Sequence, residues 1–433
     1  MDINNIMKNQ PVINIGVIGH VSNGKSTIVK ALTGKKTQQH SNEQERNITI
    51  KLGYANAKIY KCDVCESPQC YASTASNIDA LNCKYCGRTM NLVNHISLVD
   101  APGHHLLMST MLNGTCVMDY TILVESLNNP EVPAPQTIEH VRATTLVNVP
   151  NKIICFNKLD LLKKMDAEKK IKEFKKQISK DLLSNSSIVP VVASVGLNMD
   201  VLCEELAKLE IPKHDHNSCG KMIVIRSFNA NKPGTSIKNL KGGVIGGSLV
   251  KGLIKKNDTM ILKPGFVSNN EKYNPNDPES KRWKYRPITT KIISIQSETN
   301  NLEMAIPGGL IGVQLDVDPA LAANDGLIGN IAVDSKEENE YNVYEDVEIE
   351  FEYFGDEKKS LKNEKIWLNV NASNRLCQYL RFKNNKMTLK IMSGPICVKI
   401  GDQVTVSIGK NNNEGINVVG RGVILDGNCC ENF

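Results

Sequence analysis

The 433-residue chain contains no apolar stretch near the ~18–20 residues that a membrane-spanning helix requires, so no helical membrane span is expected. Its first eleven residues are polar and lack the basic-then-apolar order of a signal peptide, which places the expected location in the cytoplasm. No internal repeat is found, so nothing points to a stacked-repeat architecture. A strong charge bias is missing too: 52 basic against 46 acidic residues give +6, which admits a nucleic-acid partner without selecting one. Cysteine, by contrast, is plentiful. Thirteen cysteines in a long chain without a signal peptide read as reduced thiols, with any tight spacing pointing to metal.

A chain of this length predicts two or three domains. In the first half, residues 12–18, 95–99, 120–124 and 152–156 are short, β-branched-rich runs bounded by turns, and read as buried strands. After Asp160, the spacing of Ile171, Phe174, Ile178 and Leu182 predicts a helix. Strands alternating with helices argue for a mostly parallel sheet with helices on both faces. From Met222 onward short strands dominate (222–228, 243–250, 259–262, 290–295), separated by Gly, Pro and Asn turns, which predicts antiparallel β-barrels. The expected organisation is an α/β domain over 1–218, a first barrel over 219–333 and a second over 340–433. The segment 334–339 is the polar join, and 267–287 is a polar insertion read as a long hairpin loop.

Gly19-His20-Val21-Ser22-Asn23-Gly24-Lys25-Ser26 matches GxxxxGK[ST] in full, between a strand and an amphipathic helical stretch beginning at Thr27. Such a loop lets backbone N–H groups converge on phosphates at a helix N-terminus. The expected phosphate set is Gly19, Ser22, Asn23, Gly24, Lys25, Ser26 and Thr27. Within it Lys25 reaches the β- and γ-phosphates and the Ser26 hydroxyl binds Mg²⁺. Asn157-Lys158-Leu159-Asp160, after another buried strand, selects the base. The Asp160 carboxylate accepts from guanine N1–H and its exocyclic amine, whereas adenine has no donor at N1. A buried polar site deprived of its partner discriminates strongly. Lys158 lies along the base and Asn157 ties the two loops together. Asp100-Ala101-Pro102-Gly103-His104 lies between them, with Asp100 holding Mg²⁺ through water and Gly103 N–H sensing the γ-phosphate. Upstream, Arg46-Asn47-Ile48-Thr49 offers the Thr49 hydroxyl to the same metal. Four elements in this order predict a P-loop GTPase that binds GTP and GDP with Mg²⁺.

Cys62-x2-Cys65-x17-Cys83-x2-Cys86 fits the paired CxxC spacing of a structural Zn²⁺ knuckle, an insertion at 62–86, with Cys70 as a bystander.

The sequence is similar to the translational GTPases, and within them to the gamma subunits of eukaryotic and archaeal translation initiation factor two. The residues carrying the resemblance are KTQQHS at 36–41, ITIKLGYA at 48–55, Met111-Leu112-Asn113-Gly114, and Pro135-Gln136-Thr137 with Glu139-His140. Further matches are 223–228, Asn231-Lys232-Pro233-Gly234, KGGVIGG at 241–247 and PGGLIGV at 307–313. They cover about residues 11–333; the last hundred match more loosely. That family implies a GTP-dependent carrier delivering initiator methionyl-tRNA to the small ribosomal subunit within an alpha–beta–gamma heterotrimer. It also implies an activating factor, an exchange factor and a zinc knuckle between the two switch segments. The resemblance assigns the water-orienting role to His104, with His105 pointing elsewhere, and places segment 241–247 on a tRNA-binding wall. Three positions depart from the family pattern: Asn47 stands where Gly is usual, Ser22 where many archaeal relatives have Asp, and Val192 where Ser precedes Ala193. Ala193 N–H is still expected to meet guanine O6.

No arginine finger in cis is identified, so slow hydrolysis without a partner is expected. Eight lysines between Lys163 and Lys180 read as a solvated helix face, and Lys281-Arg282-Trp283-Lys284-Tyr285-Arg286 as a hairpin end whose rings pack locally. The alternative function is a selenocysteine-type or general elongation GTPase. Cargo separates the two, initiator against elongator tRNA, and the paired CxxC and KTQQHS favour initiation.

Overall fold

A computed structural model of the chain describes residues 3–37, 49–178, 180–274, 276–277, 280–354, 361–409 and 415–433. Gln38–Ser41 of KTQQHS, the residues Arg46, Asn47 and Ile48, and positions 411–414 of the loosely matching tail lie outside them. Two compact units emerge. One comprises Met1–Lys213, Ser297–Asn301 and Gly308–Leu310; the other comprises His214–Gln296, Leu302–Pro307 and Ile311–Phe433. Among the described residues no helix is long and apolar enough to cross a membrane.

The first unit is built on seven strands: β1 (Ile13–Ile18), β2 (Gly53–Lys61), β3 (Tyr71–Ala75), β4 (Asn91–Asp100), β5 (Tyr120–Ser126), β6 (Asn151–Asn157) and β7 (Ser187–Pro190). Their order is β3-β2-β4-β1-β5-β6-β7. β1 runs parallel to β4 and β5, β5 to β6, and β6 to β7. All six residues of β1 are buried, as a central parallel strand covered on both faces demands. The β2–β3 hairpin is antiparallel at the edge, a pairing the short apolar runs did not reveal. Each loop that carries chemistry leaves the C-terminal end of a parallel strand: the P-loop follows β1, Asp100 ends β4 and Asn157 ends β6. Such ends are where open α/β sheets bind ligands.

The helix after Asp160 runs Lys164–Gln177. It stops one residue before Ile178, which adopts an extended backbone and turns into the core, so Leu182 belongs to a separate short helix, Lys180–Ser184. Phe174 is fully buried and meets Phe156 of β6 edge-on, with centroids 5.0 Å apart.

The second unit holds two closed antiparallel rings of six strands. In the first, Ile331–Asp334, Lys221–Phe228, Val244–Lys251, Leu310–Leu315, Trp283–Ser297 and Thr259–Asn269 pair in that order, and the last closes on the first. In the second, Asn342–Tyr353, Lys386–Ile391, Ser373–Lys383, Ile366–Val370, Gln403–Gly409 and Ile416–Cys429 do the same. Each ring encloses its own aliphatic core. The polar insertion is shorter than the sequence suggests. Val267 and Asn269 pair with Tyr285 and Trp283 across a ladder, because an alternating pattern continues past the bulge between Leu262 and Phe266.

A third apolar cluster, including Ile261, Val333, Tyr341, Val343 and Cys397, joins the rings, and Trp283 and Tyr285 pack against it. The rings of the Lys281–Arg286 run therefore pack locally. The acidic join is a 3-10 turn, Ser335–Glu340, held from both barrels. Lys251 pairs with Glu337 at 2.5 Å, Lys263 donates to Glu338 O at 2.9 Å and Lys399 pairs with Glu340 at 2.5 Å. The chain end is ordered: Glu431–Asn432 adds a parallel strand beside Lys284 and Tyr285.

Candidate functional site

A cleft of about 470 Å³ is lined by Val21, Ser22, Gly24, Lys25, Ser26, Thr27, Lys30, Lys36, Thr37, Thr49, Gly103, His104 and Lys158. The P-loop, both switch segments and the base-reading loop thus share one cavity.

The P-loop geometry follows from its residue types. Gly24 has φ 92, and a Cβ there would stand 2.2 Å from Asn157 Nδ2. That close approach lets Asn157 Nδ2 donate to Asn23 O at 2.9 Å. A Cβ on Gly103 would meet Lys25 Nζ at 2.4 Å and Val21 N at 2.8 Å, so glycine alone lets the post-β4 loop lie against the P-loop. Lys25 Nζ donates to Gly19 O at 2.9 Å and His20 O at 2.8 Å. Burial lowers the Lys25 pKa to about 8, against the opposing pull of Asp100 and Glu125.

Three hydroxyls converge on the buried Asp100 carboxylate. Ser26 and Thr37 each donate to Oδ2 at 2.6 Å, while Thr49 lies 3.5 Å from Oδ2 and 3.2 Å from Ser26 Oγ. Asp100 Oδ1 is buried with no hydrogen-bond partner. A carboxylate with one orphaned oxygen and three hydroxyls gathered at the other is a hard oxygen donor set of the kind that Mg²⁺ takes, so these residues fit that ion. Burial pushes the Asp100 pKa up, opposed by those hydroxyls and by Lys25.

Asn157 is the hub of the loop expected to read the base. Its Oδ1 accepts from Ala193 N at 3.2 Å, so the amide expected to face guanine O6 is held by Asn157 in this structure. Lys158 is left-handed at φ 62 and lines the cleft, while Asp160, in the turn Leu159–Leu161, is exposed and is not among the cleft's lining residues. His104 caps the turn His105–Leu107, its Nδ1 accepting from Leu106 N at 3.3 Å. Burial and then His105 lower its pKa. His105 stacks on His104 with centroids 4.3 Å apart, and of the two only His104 lines the cleft.

Several supports went unread in the sequence. Fully buried His140, on the helix Pro135–Leu146, accepts from Gly19 N through Nδ1 at 3.0 Å, and burial drives its pKa to about 3. Asn129 Nδ2 donates to Asn23 Oδ1 at 2.9 Å, and the Glu125 carboxylate accepts from Asn129 and Asn23. The available signals were the His of Glu139-His140 and a carboxylate, Glu125, near the end of the mostly apolar strand YTILVES. Thr37 was legible only as part of KTQQHS.

The four knuckle cysteines come together, with all sulfurs within 4.8 Å of one another. Cys62 Sγ lies 3.5 Å from Cys86 Sγ, and Cys65 Sγ lies 3.6 Å from Cys83 Sγ. A tetrahedron of ~2.3 Å Zn–S bonds has edges of ~3.8 Å, so the cluster fits Zn²⁺. Backbone N–H groups of Cys86 and Tyr85 hold the Cys83 thiol down at about 6, while its hydrogen bond with Cys65 pushes that neighbouring thiol up to about 12. Gly87, at φ 72, makes the turn that brings Cys86 back. Cys70 lies in the surrounding apolar cluster, outside the four ligands.

In segment 241–247 the glycines serve the barrel itself. A Cβ on Gly242 would strike Leu315 O and one on Gly247 would strike Ile223 O, each within 2.0 Å.

Residues 10–212 match the family described as the Elongation factor Tu GTP binding domain. The translation initiation factor 2 gamma subunit of Schizosaccharomyces pombe is 41% identical over 421 residues, 93% of this chain and 91% of that protein. The Encephalitozoon cuniculi gamma subunit is 38% identical over 98% of this chain and 95% of its own length. Subunit 3 of the Drosophila melanogaster factor is 38% identical over 93% and 86%. Two solved structures share the fold. The bacterial selenocysteine-specific elongation factor EF-Sec has a TM-score of 0.68 at 19% identity; the match spans 95% of this chain but 58% of that one. The elongation factor SelB of Methanococcus maripaludis, in complex with the GTP analogue GPPNHP, has a TM-score of 0.68 at 20% identity over 97% and 80%. With GTPase loops lining one cleft, four thiols poised for zinc and near-full-length identity of 38–41%, the chain belongs to the gamma-subunit family of translation initiation factor 2, the GTP-hydrolysing GTPases of translation initiation.

Proposed function

We propose that this chain is a GTP-dependent carrier of initiator methionyl-tRNA to the small ribosomal subunit, with hydrolysis as its release switch. The observation that carries the reading is the convergence of Ser26, Thr37 and Thr49 on Asp100. Hydroxyls from the P-loop and from the segments flanking the first switch meet at the carboxylate that opens the second. A γ-phosphate at this junction holds both switches, and its loss releases them.

In this scheme Gly19, Ser22, Asn23, Gly24 and Thr27 cradle phosphate through the loop backbone, with Lys25 neutralising the β- and γ-oxygens. Ser26 and Thr49 would hold Mg²⁺, with Asp100 acting on it through water, and the ion would supply charge neutralisation at the β- and γ-phosphates. Gly103 N–H senses the γ-phosphate. His104, one imidazole nitrogen already used by Leu106 N–H, orients the attacking water with the other. Asn157, Lys158 and Asp160 read guanine, and Ala193 N–H reaches O6 once it exchanges its bond to Asn157. Cys62, Cys65, Cys83 and Cys86 bind structural Zn²⁺. Hydrolysis is slow until an activating factor or the ribosome assists, and an exchange factor restores GTP. The alpha and beta subunits of the same factor complete a cytoplasmic heterotrimer, and the tRNA surface includes segment 241–247.

The test measures binding of methionylated initiator tRNA by the zinc- and Mg²⁺-loaded chain with a non-hydrolysable GTP analogue or GDP. Tight binding with the analogue alone, and preference over elongator methionyl-tRNA, supports the carrier reading. Equal affinity in both nucleotide states, or for both tRNAs, removes it. Lys241→Glu tests the tRNA surface, since unchanged affinity takes 241–247 out of it.

A further inference from the structure

The lysine-rich helix is more than a solvated face at one position. Along Lys164–Gln177, Ala167, Lys170, Ile171 and Phe174 form the inward stripe, while Lys164, Lys169, Lys172, Lys175 and Lys176 are exposed. Phe174 against Phe156 fixes the helix on β6, and Lys170, one turn earlier, lies on the same inward stripe. Lys170 Nζ donates at 2.6 Å to the carbonyl of Asn129, in the loop after β5. Gln177 Nε2, at the other end of the helix, reaches Val132 O of the same loop at 3.5 Å.

From Asn129 the chain of contacts runs into the nucleotide site. Its Nδ2 donates to Asn23 Oδ1 and to Glu125 Oε1, each at 2.9 Å. Glu125 is completely buried and also accepts from Ala134 N at 3.4 Å. Asn23, itself completely buried, donates through Nδ2 to Val124 O at 2.8 Å, while its carbonyl accepts from Asn157. Asn23 is a member of the phosphate loop, so its side chain is set by β5 on one side and by Asn129 on the other.

We infer that Lys170 is a positioning residue for nucleotide binding: by clamping the Asn129 carbonyl it holds the Asn129 amide against Asn23, and so couples the lysine-rich helix to the P-loop. The inference rests on the GTPase reading of the site and adds a control point outside the cleft. An ammonium on a neutral carbonyl draws that carbonyl outward and fixes the loop, whereas an uncharged side chain of the same length leaves it free to rotate. The loop amides then sample more orientations and hold phosphate less firmly.

The experiment follows release of a fluorescent GDP analogue from the intact, Mg²⁺- and zinc-loaded chain by stopped flow, with a thermal melt on each variant. Lys170→Met keeps the aliphatic stem and removes the charged donor; loss of one charge-assisted hydrogen bond should speed release about threefold to tenfold. Asn129→Ala should speed it at least as much. Lys170→Arg should restore release to within about twofold of the parent, because guanidinium keeps a charged donor at similar reach. Lys175→Met, on the exposed face, should change nothing. The melting temperature of Lys170→Met should match the parent, which separates positioning from general destabilisation. Release from Lys170→Met within twofold of the parent overturns the inference, as does equal acceleration by Lys175→Met or failure of Lys170→Arg to rescue. If the parent itself fails to hold guanine nucleotide, the GTPase reading has failed instead.

Discussion

Acid should unfold the GTPase unit early, through two histidines that the fold keeps neutral. His95 and His140 are both fully buried. Burial lowers His95 from 6.5 to about 4 and His140 from 6.5 to about 3. Their nitrogens do structural work as neutral rings: His95 Nδ1 bonds Met7 O at 2.8 Å and Nε2 bonds Ser76 Oγ at 2.9 Å, while His140 Nδ1 accepts from Gly19 N. The sign follows from the depressed native values. Below pH 6.5 the unfolded chain takes up protons that the native state refuses, so stability falls as pH drops, until each ring protonates in place near its native pKa. At pH 5 each histidine costs ~2 kcal/mol relative to neutral pH, or ~4 kcal/mol together. For a unit of this size each kcal/mol moves the midpoint by ~2–4 °C, so a fall of roughly 10 °C is expected between pH 7.5 and pH 5. The assay is circular dichroism melting across that range, on the parent and on His95→Gln/His140→Gln, whose amides keep hydrogen-bonding capacity without titrating. Zinc release is followed in parallel, because it also depends on acid and is common to both proteins. The double variant should lose about 10 °C less than the parent over the same interval. Parallel pH dependences in the two proteins would refute the reasoning, and either single variant should show about half the effect.

Asn157→Ala should weaken guanine-nucleotide affinity at least tenfold, since it strands Asn23 O and Ala193 N at ~1–3 kcal/mol each; equilibrium titration with a fluorescent GDP analogue checks this. Cys83→Ser should abolish stoichiometric zinc, read by metal analysis of the purified chain, and lower the melting point, because three thiolates leave the tetrahedral site open. Phe174→Ala should destabilise the GTPase unit by ~3–5 kcal/mol by opening a cavity against Phe156, measured by denaturant unfolding. His104→Ala should leave nucleotide affinity intact and slow the stimulated single-turnover hydrolysis of GTP; an unchanged rate removes His104 from the chemistry.

Which parts were legible from the sequence follows from how local the physics is. The P-loop, the Asp100 loop and NKxD are runs of four to eight residues whose spacing matches what phosphate, metal and base would require. The paired CxxC is likewise set by the reach of a tetrahedral ion. The central strands were legible because burial on both faces demands continuous apolar runs. Everything less local was not. The edge hairpin β2–β3 carries mixed polarity and declares itself only by pairing with β4. The helix ends at Gln177 because Ile178 is drawn into the core, a choice made by packing against the sheet. Closure of the two rings depends on register across strands far apart in the chain.

By itself, then, the sequence determined the motifs of this protein: a P-loop, an NKxD run, the Asp100 loop and a paired CxxC, each encoded within a few residues. Only the tertiary structure decided what holds those motifs in place. Glu125, Asn129 and His140 reach the P-loop from positions some 100 to 120 residues away in the chain, and Lys170 in turn holds the carbonyl of Asn129. A buried polar residue names its partner only when folding brings the two within hydrogen-bond distance, and no spacing rule along the chain encodes that meeting.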